Sequence, residues 1–271
     1  ASTIVTKKAA AQTTPVMHAC GHDLHMAAWA GTARLMAEHR DRWSGTLMMV
    51  GQPAEEGLGG ARAMLTDGLF TRFPKPDFAL SMHDDDTMPA GTIGYHTGLF
   101  RAMSDTVTIT VYGRGGHGAM PHNTIDPIVL ASRIVLSLQT IVSRENNPVE
   151  PIVITVGSIH GGTQANVIPD EVRLQLSVRT YTDEVRARTF AAIRRVARGE
   201  ATSAGAPKEP LVEPPERGNP PVYNDPALTT RLAGALKKGL GDTVVVEGPG
   251  HQGLAVLDAV LTAEPAQVIV T

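Results

Sequence analysis

From residue 103 onward the chain switches its hydrophobic period in a definite order, and that order leaves few folds open. Thr106-Val107-Thr108-Ile109-Thr110-Val111-Tyr112 alternates apolar and polar residues, the period of a half-exposed strand. A helix pattern covers 126–144, and Pro151 to Ile159 reads as a second strand. Val172-Arg173-Leu174-Gln175-Leu176-Ser177-Val178-Arg179 alternates again; a charged amphipathic helix follows at 183–200, and a further strand is expected at 209–213. Strand, helix, strand, strand, helix, strand is the order of a split βαβ unit. Residues 103–207 are therefore expected to form a domain inserted into another. The Pro-rich stretch from Pro207 to Pro226 marks the return from it.

The flanking segments, 1–102 and 208–271, have a different texture. Residues 24–40 carry the small-apolar spacing of a packed helix. Gly45 to Gly51 reads as a short buried strand, ended by Pro53. A loop with Glu55, Glu56 and glycines at 57, 59 and 60 leads into a helix near 60–66, and Asp77 to His83 reads as another buried strand. Strands alternating with helices argue for an α/β domain with a mostly parallel sheet covered on both faces. Ligands of such sheets gather beyond the carboxyl ends of strands, where Glu55, Glu56 and His83 fall.

Composition narrows the function classes. Of 271 residues, 42% are hydrophobic and 19% charged, the balance of a globular chain. A formal net charge of -3 gives no reason to expect nucleic acid or an anionic membrane as partner. No apolar run is expected to reach the roughly 20 residues that span a bilayer. The first residues lack the order of a signal peptide and an initiator Met, so a start upstream is expected. The single cysteine excludes an internal disulfide framework and fits a reducing, cytoplasmic compartment.

That cysteine stands in an unusual place. His18, Cys20, His22, Asp23 and His25 bring five ionisable groups into eight residues around Gly21. Thiolate and imidazole are strong ligands for borderline metals such as zinc, and a loop lets both face one ion. Asp23 would then orient a ligand histidine, or, in the ordinary alternative, cap a helix with the histidines solvated. Glu55 and Glu56 form a second feature: one carboxylate binding metal and its neighbour acting as general base, or simply a solvated loop. His83, followed by Asp84-Asp85-Asp86, is either a ligand tuned by acids or a structural residue at a strand end. Cys20 as a thiol nucleophile with His18 or His22 as base is a third chemistry, but nothing in the sequence supplies an orienting group. A zinc deaminase is disfavoured because no Cys-x-x-Cys pair exists.

Taken together, Met17-His18-Ala19-Cys20-Gly21-His22-Asp23-Leu24-His25, Gln52-Pro53-Ala54-Glu55-Glu56 and Asp77 to His83 resemble the M20 family of metallopeptidases, in its aminoacylase and hippurate-hydrolase branch. Gly113-Arg114-Gly115-Gly116-His117-Gly118, Asn166-Val167-Ile168-Pro169 and Ser177-Val178-Arg179-Thr180 fit that family's inserted domain. The resemblance implies a zinc-peptidase-like catalytic domain with an inserted α+β ferredoxin-like domain for dimerisation. It implies two divalent metal ions, zinc or manganese first and cobalt or nickel next, with Cys20 bridging and His22, Glu56 and His83 completing most of the coordination. Glu55 would take a proton from the attacking water and pass it to the leaving amine. His117 and Asn166 would contact the oxyanion or substrate, and Arg179 would receive a substrate carboxylate. The implied substrate is an N-acyl amino acid or related small amide, and the implied assembly a homodimer in which the partner supplies the histidine.

Against the family pattern, the first strands of the catalytic domain have no counterpart, so that domain is expected to be incomplete. The final histidine ligand is also missing after Asp242, where His251 is a weak substitute. The competing expectation is thus a non-catalytic, truncated remnant that dimerises and binds metal weakly.

Overall fold

The computed structural model describes residues 5–7, 13–15, 20–55, 59–215, 220–248 and 266–270. The chain divides into two compact units, with breaks between Gly98 and Leu99 and between Tyr223 and Asn224.

In the first unit four strands form one sheet, in the order Val245–Glu247, Ile93–Tyr95, Ala266–Val270, Phe78–Met82. Val245–Glu247 runs parallel to Ile93–Tyr95, and Ala266–Val270 parallel to Phe78–Met82. A single antiparallel pairing of Val270 with Tyr95 joins the two ladders, so the sheet is mixed. The helix Pro226–Leu240 packs on this sheet. Its start is set locally: Asp225 accepts the Leu228 N–H at 2.7 Å, and Pro226 occupies a first-turn position whose missing N–H costs nothing. Its cations then reach strand aromatics. Arg231 lies 4.9 Å from the Phe78 ring centroid, and the Lys237 ammonium donates to the Tyr95 hydroxyl at 3.2 Å.

Two expectations for this unit change. The apolar pattern at 24–40 does form a helix, His22–Glu38, but none of its residues is buried. Leu24 and Met26 are each 58% exposed. Among the described residues only a stripe through His22, His25, Ala28, Ala33 and Met36 is half-covered. The helix is apolar on nearly all sides, as helices meant for full burial are. The strand expected over Gly45–Gly51 does not form. No ladder partner exists for it among the described strands, and an extended segment gains its stability only from pairing.

The second unit is an antiparallel four-stranded sheet in the order Leu211–Glu213, Met103–Tyr112, Glu171–Thr180, Val153–His160, or fourth, first, third, second along the chain. The period of two settles which face is buried. Leu174 pairs with Ile109, Val172 with Val111 and Leu176 with Val107, all buried on one side. Helices Pro127–Thr140 and Asp183–Ser203 cover that face with Leu130, Ile134, Leu138, Phe190 and Ile193. Asp126 and Thr182 cap them, accepting the N–H groups of Ile128 at 2.8 Å and Val185 at 3.3 Å. The first helix runs on through a π-helical turn at Ile141–Glu145. The 19-residue helix Pro127–Glu145 is long and apolar enough, by length and composition alone, to cross a bilayer. Its Leu130, Ile134 and Leu138 are instead in the core of this unit.

Candidate metal centre

Cys20 and His22 flank Gly21, which takes the left-handed conformation (φ 63°) at the start of the His22–Glu38 helix. Its carbonyl accepts the N–H groups of Leu24 at 2.9 Å and His25 at 3.1 Å. Gly21 is therefore the N-cap residue and no side chain caps this helix, which removes the reading of Asp23 as cap. The tight left-handed turn brings Cys20 round to His83, with Sγ 3.4 Å from Nε2 across 63 positions of sequence. His83 follows the end of the Phe78–Met82 strand, and its Nδ1 lies 2.7 Å from the Asp84 carbonyl oxygen. A carbonyl can only accept, so Nδ1 carries the proton and Nε2 presents its lone pair toward the cysteine sulfur. This is the tautomer a metal-ligating histidine needs.

Glu55 reaches the same place from another loop, its Oε2 lying 3.4 Å from His22 Nε2. Ala54, just before it, takes φ 50°, a left-handed conformation that costs a non-glycine residue about 1–2 kcal/mol. The turn it makes directs the next side chain. His25, one helical turn after His22, joins the group, its ring centroid 5.5 Å from that of His22 and 4.5 Å from that of His83. Its Nε2 lies 3.1 Å from Asp84 Oδ1 and within reach of the Asp84 N–H. Burial first, and then His83, hold the His25 imidazole below its ordinary pKa, against the raising effect of Asp84. That direction favours the neutral imidazole over the charged one.

Gly21 has a second role. A Cβ built on it would sit 2.1 Å from Asp84 Oδ1, so the Asp84 carboxylate occupies the space a side chain would take. Gly21→Ala is expected to cost about 1–2 kcal/mol from the left-handed backbone alone and more from the clash. A thermal melt checks this, and an unchanged midpoint would mean that the carboxylate does not sit there.

The structure brings together Cys20, His22, Glu55 and His83 from the expected set. Glu56, His18 and the substitute ligand His251 lie outside the described residues. The sequence placed His25 in the histidine–cysteine cluster and Asp84 among the acids beside His83, but gave neither a ligand role. The only signals were the three-residue step from His22 to His25 and the adjacency of Asp84 to His83.

His117, Asn166 and Arg179 belong to the second unit. Gly116–His117 pairs with Val167–Ile168, and the Gly118 N–H donates to the Asn166 carbonyl at 2.8 Å, so His117 and Asn166 are neighbours on exposed loops. Arg179 is elsewhere. It lies near the end of the Glu171–Thr180 strand, eight steps beyond Glu171, or roughly 26 Å at about 3.3 Å per residue. Burial lowers its pKa against the opposing charge of Asp105, the mark of a partly desolvated guanidinium.

Thiolate, imidazole and carboxylate converging past a strand end form a donor set for borderline divalent metals rather than for hard ions alone. The comparisons agree with that class. The model of peptidase family M20/M25/M40 matches residues 6–269. N-acetyl-L-cysteine deacetylase of Bacillus subtilis is 38% identical over 82% of this chain and 52% of its own length. IAA-amino acid hydrolase ILR1-like 2 of Arabidopsis thaliana is 35% identical over 88% of this chain and 53% of its own length. Among solved structures, the YXEP protein of Bacillus subtilis, a dinuclear metal-binding peptidase of the M20 family, superposes with a TM-score of 0.72 at 31% identity, covering 94% of this chain and 63% of that one. The chain belongs to the M20/M25/M40 peptidase family. It spans about half the length of the curated relatives it matches.

Proposed function

We propose that this chain carries the metal-binding site of an enzyme that hydrolyses the amide bond of N-acyl amino acids or related small amides. The observation that carries the reading is the convergence of Cys20 and His83, 3.4 Å apart, beside the His22–Glu55 contact. Cys20, His22, Glu56 and His83 would hold two divalent ions, zinc or manganese before cobalt or nickel. Such ions lower the pKa of a water and polarise a carbonyl. Glu55 takes the proton of the attacking water and returns it to the leaving amine. His117 and Asn166 contact the substrate, and Arg179 receives its carboxylate. Relatives named for N-acetylcysteine deacetylation and amino-acid conjugate hydrolysis support this substrate class.

In this reading, residues 1–102 and 208–271 form the catalytic domain and 103–207 an inserted domain through which two chains dimerise. The distance along the Glu171–Thr180 strand supports the dimer. Arg179 lies eight steps, roughly 26 Å at about 3.3 Å per residue, along that strand from Glu171, whereas His117 and Asn166 lie just before its start in the chain pairing, which favours their serving one small substrate from different copies. In this reading a second copy supplies one of the two.

A non-catalytic relative that dimerises and binds metal weakly is the second reading, favoured by the unburied His22–Glu38 helix. Elemental mass spectrometry of the purified chain, before and after zinc or manganese loading, separates the two. About two tightly held ions per chain are expected, followed by turnover in a screen of N-acyl amino acids. One weak ion or none would give the second reading the lead. Cys20→Ala is expected to lower metal content, and unchanged stoichiometry would remove Cys20 from the ligand set.

A further inference from the structure

We propose that His25 and Asp84 are themselves metal donors, joining His83 to hold a divalent cation in addition to the ligand set above; this rests on the metal-centre reading. One donor atom from each of His25, His83 and Asp84 falls within 4.8 Å of the others. The His25 Nε2 to Asp84 Oδ1 distance is 3.1 Å. Two donors on one ion, with bonds of about 2.0–2.1 Å at roughly tetrahedral angles, are separated by about 3.3 Å, so this pair already has the spacing of a coordination edge. A neutral imidazole and a carboxylate are a natural pair for zinc or cobalt.

Independent support comes from the backbone. The Asp84 carboxylate fills the space over the Cα of Gly21, between the two candidate ligands Cys20 and His22. It is therefore seated against the ligand loop itself, although its side chain stays 42% exposed. His83 links the two groups: its Nε2 lone pair lies 3.4 Å from Cys20 Sγ, while its protonated Nδ1 lies 3.2 Å from Asp84 Oδ1 and orients the ring. Asp84 thereby offers a carboxylate that motif spacing at Cys20, His22 and Glu56 does not reveal.

Cobalt(II) titration of the metal-free chain tests this, read by the visible absorption of the bound ion, by metal content and by the metal-induced rise in melting temperature. Asp84→Asn keeps the shape of the side chain, and His25→Gln keeps one hydrogen-bonding group. Each is expected to weaken cobalt binding about 10–100-fold or more and alter the ligand-field bands, with the metal-free melting temperature of Asp84→Asn near that of the parent. Cobalt binding by both variants at parent affinity with unchanged bands, while Cys20→Ala loses it, would overturn this proposal and leave the metal centre standing. A lower metal-free melting temperature with unchanged bands would make Asp84 a structural residue and also overturn it. Failure of the unsubstituted chain to bind cobalt would bring down both readings.

Discussion

Glu55→Gln is expected to keep the metal content of the parent chain and to lose hydrolysis of N-acyl amino acids by about 10²–10⁴-fold, the usual contribution of a general base. The substitution preserves size and one acceptor oxygen but removes the basic group. Glu55 is suited to that role by where it sits. Its carboxylate is partly covered and lies 3.4 Å from His22 Nε2, within the donor group yet on its own loop. The left-handed Ala54 before it points to a backbone set to place this side chain, since such a conformation persists only where its surroundings enforce it. Steady-state kinetics on one N-acyl amino acid, with elemental analysis of the same preparation, checks the result. Retained turnover would remove Glu55 as base. Loss of metal together with turnover would make it a ligand instead.

Asp105→Ala is expected to destabilise the second unit by about 3–5 kcal/mol, the cost of breaking a buried ion pair from one side. The Asp105 side chain is fully covered and takes a two-pronged contact from Arg186, with Nε to Oδ2 and Nη2 to Oδ1 both at 2.9 Å. The same Nη2 donates to the Pro215 carbonyl at 3.0 Å, tying the Asp183–Ser203 helix to the chain that follows the Leu211–Glu213 strand. Without Asp105 the guanidinium stays largely covered with its charge uncompensated. The hydrogen bond to Asp105 is also the leading reason that the Arg186 pKa rises above its ordinary value. Because the chain has two units, a single unfolding midpoint is a poor gauge. Amide exchange at Ile109 and Leu174 in the centre of the sheet reads this unit directly, and protection there should fall by two orders of magnitude or more. A double variant placing Leu at 105 and Met at 186 should recover much of the loss, since two apolar groups leave no stranded charge. Unchanged exchange in Asp105→Ala would show that the pair contributes nothing net.

Local chemistry made the second unit readable from the sequence. Alternation at Thr106–Tyr112 and Val172–Arg179 states which side chains face inward, and the order of periods states the connectivity. Asp126 and Thr182 are capping residues placed where helices begin, whatever surrounds them. The first unit was read less well for the same reason. An apolar run such as Gly45–Gly51 shows only that a segment suits a strand, because the stabilising hydrogen bonds belong to a partner elsewhere in the chain. The helical pattern at 24–40 was likewise right about conformation and silent about whether anything would cover it.

The site divides along the same line. The sequence by itself determined the kind of chemistry, because the crowding of His18, Cys20, His22 and His25 and the adjacency of Glu55 and Glu56 are local facts about donor types. Only the tertiary structure decided which donors meet. Cys20 finds His83 across 63 positions and His25 finds Asp84 across 59, through a strand end and a left-handed glycine whose missing Cβ makes the room. It also decided that His117 pairs with Val167 in a short separate ladder while Arg179 lies near the end of the Glu171–Thr180 strand, which spacing in the sequence could not show. Residue types and periods are written along the chain, whereas distances between remote side chains follow from pairing and packing, and those energies exist only once the chain has folded.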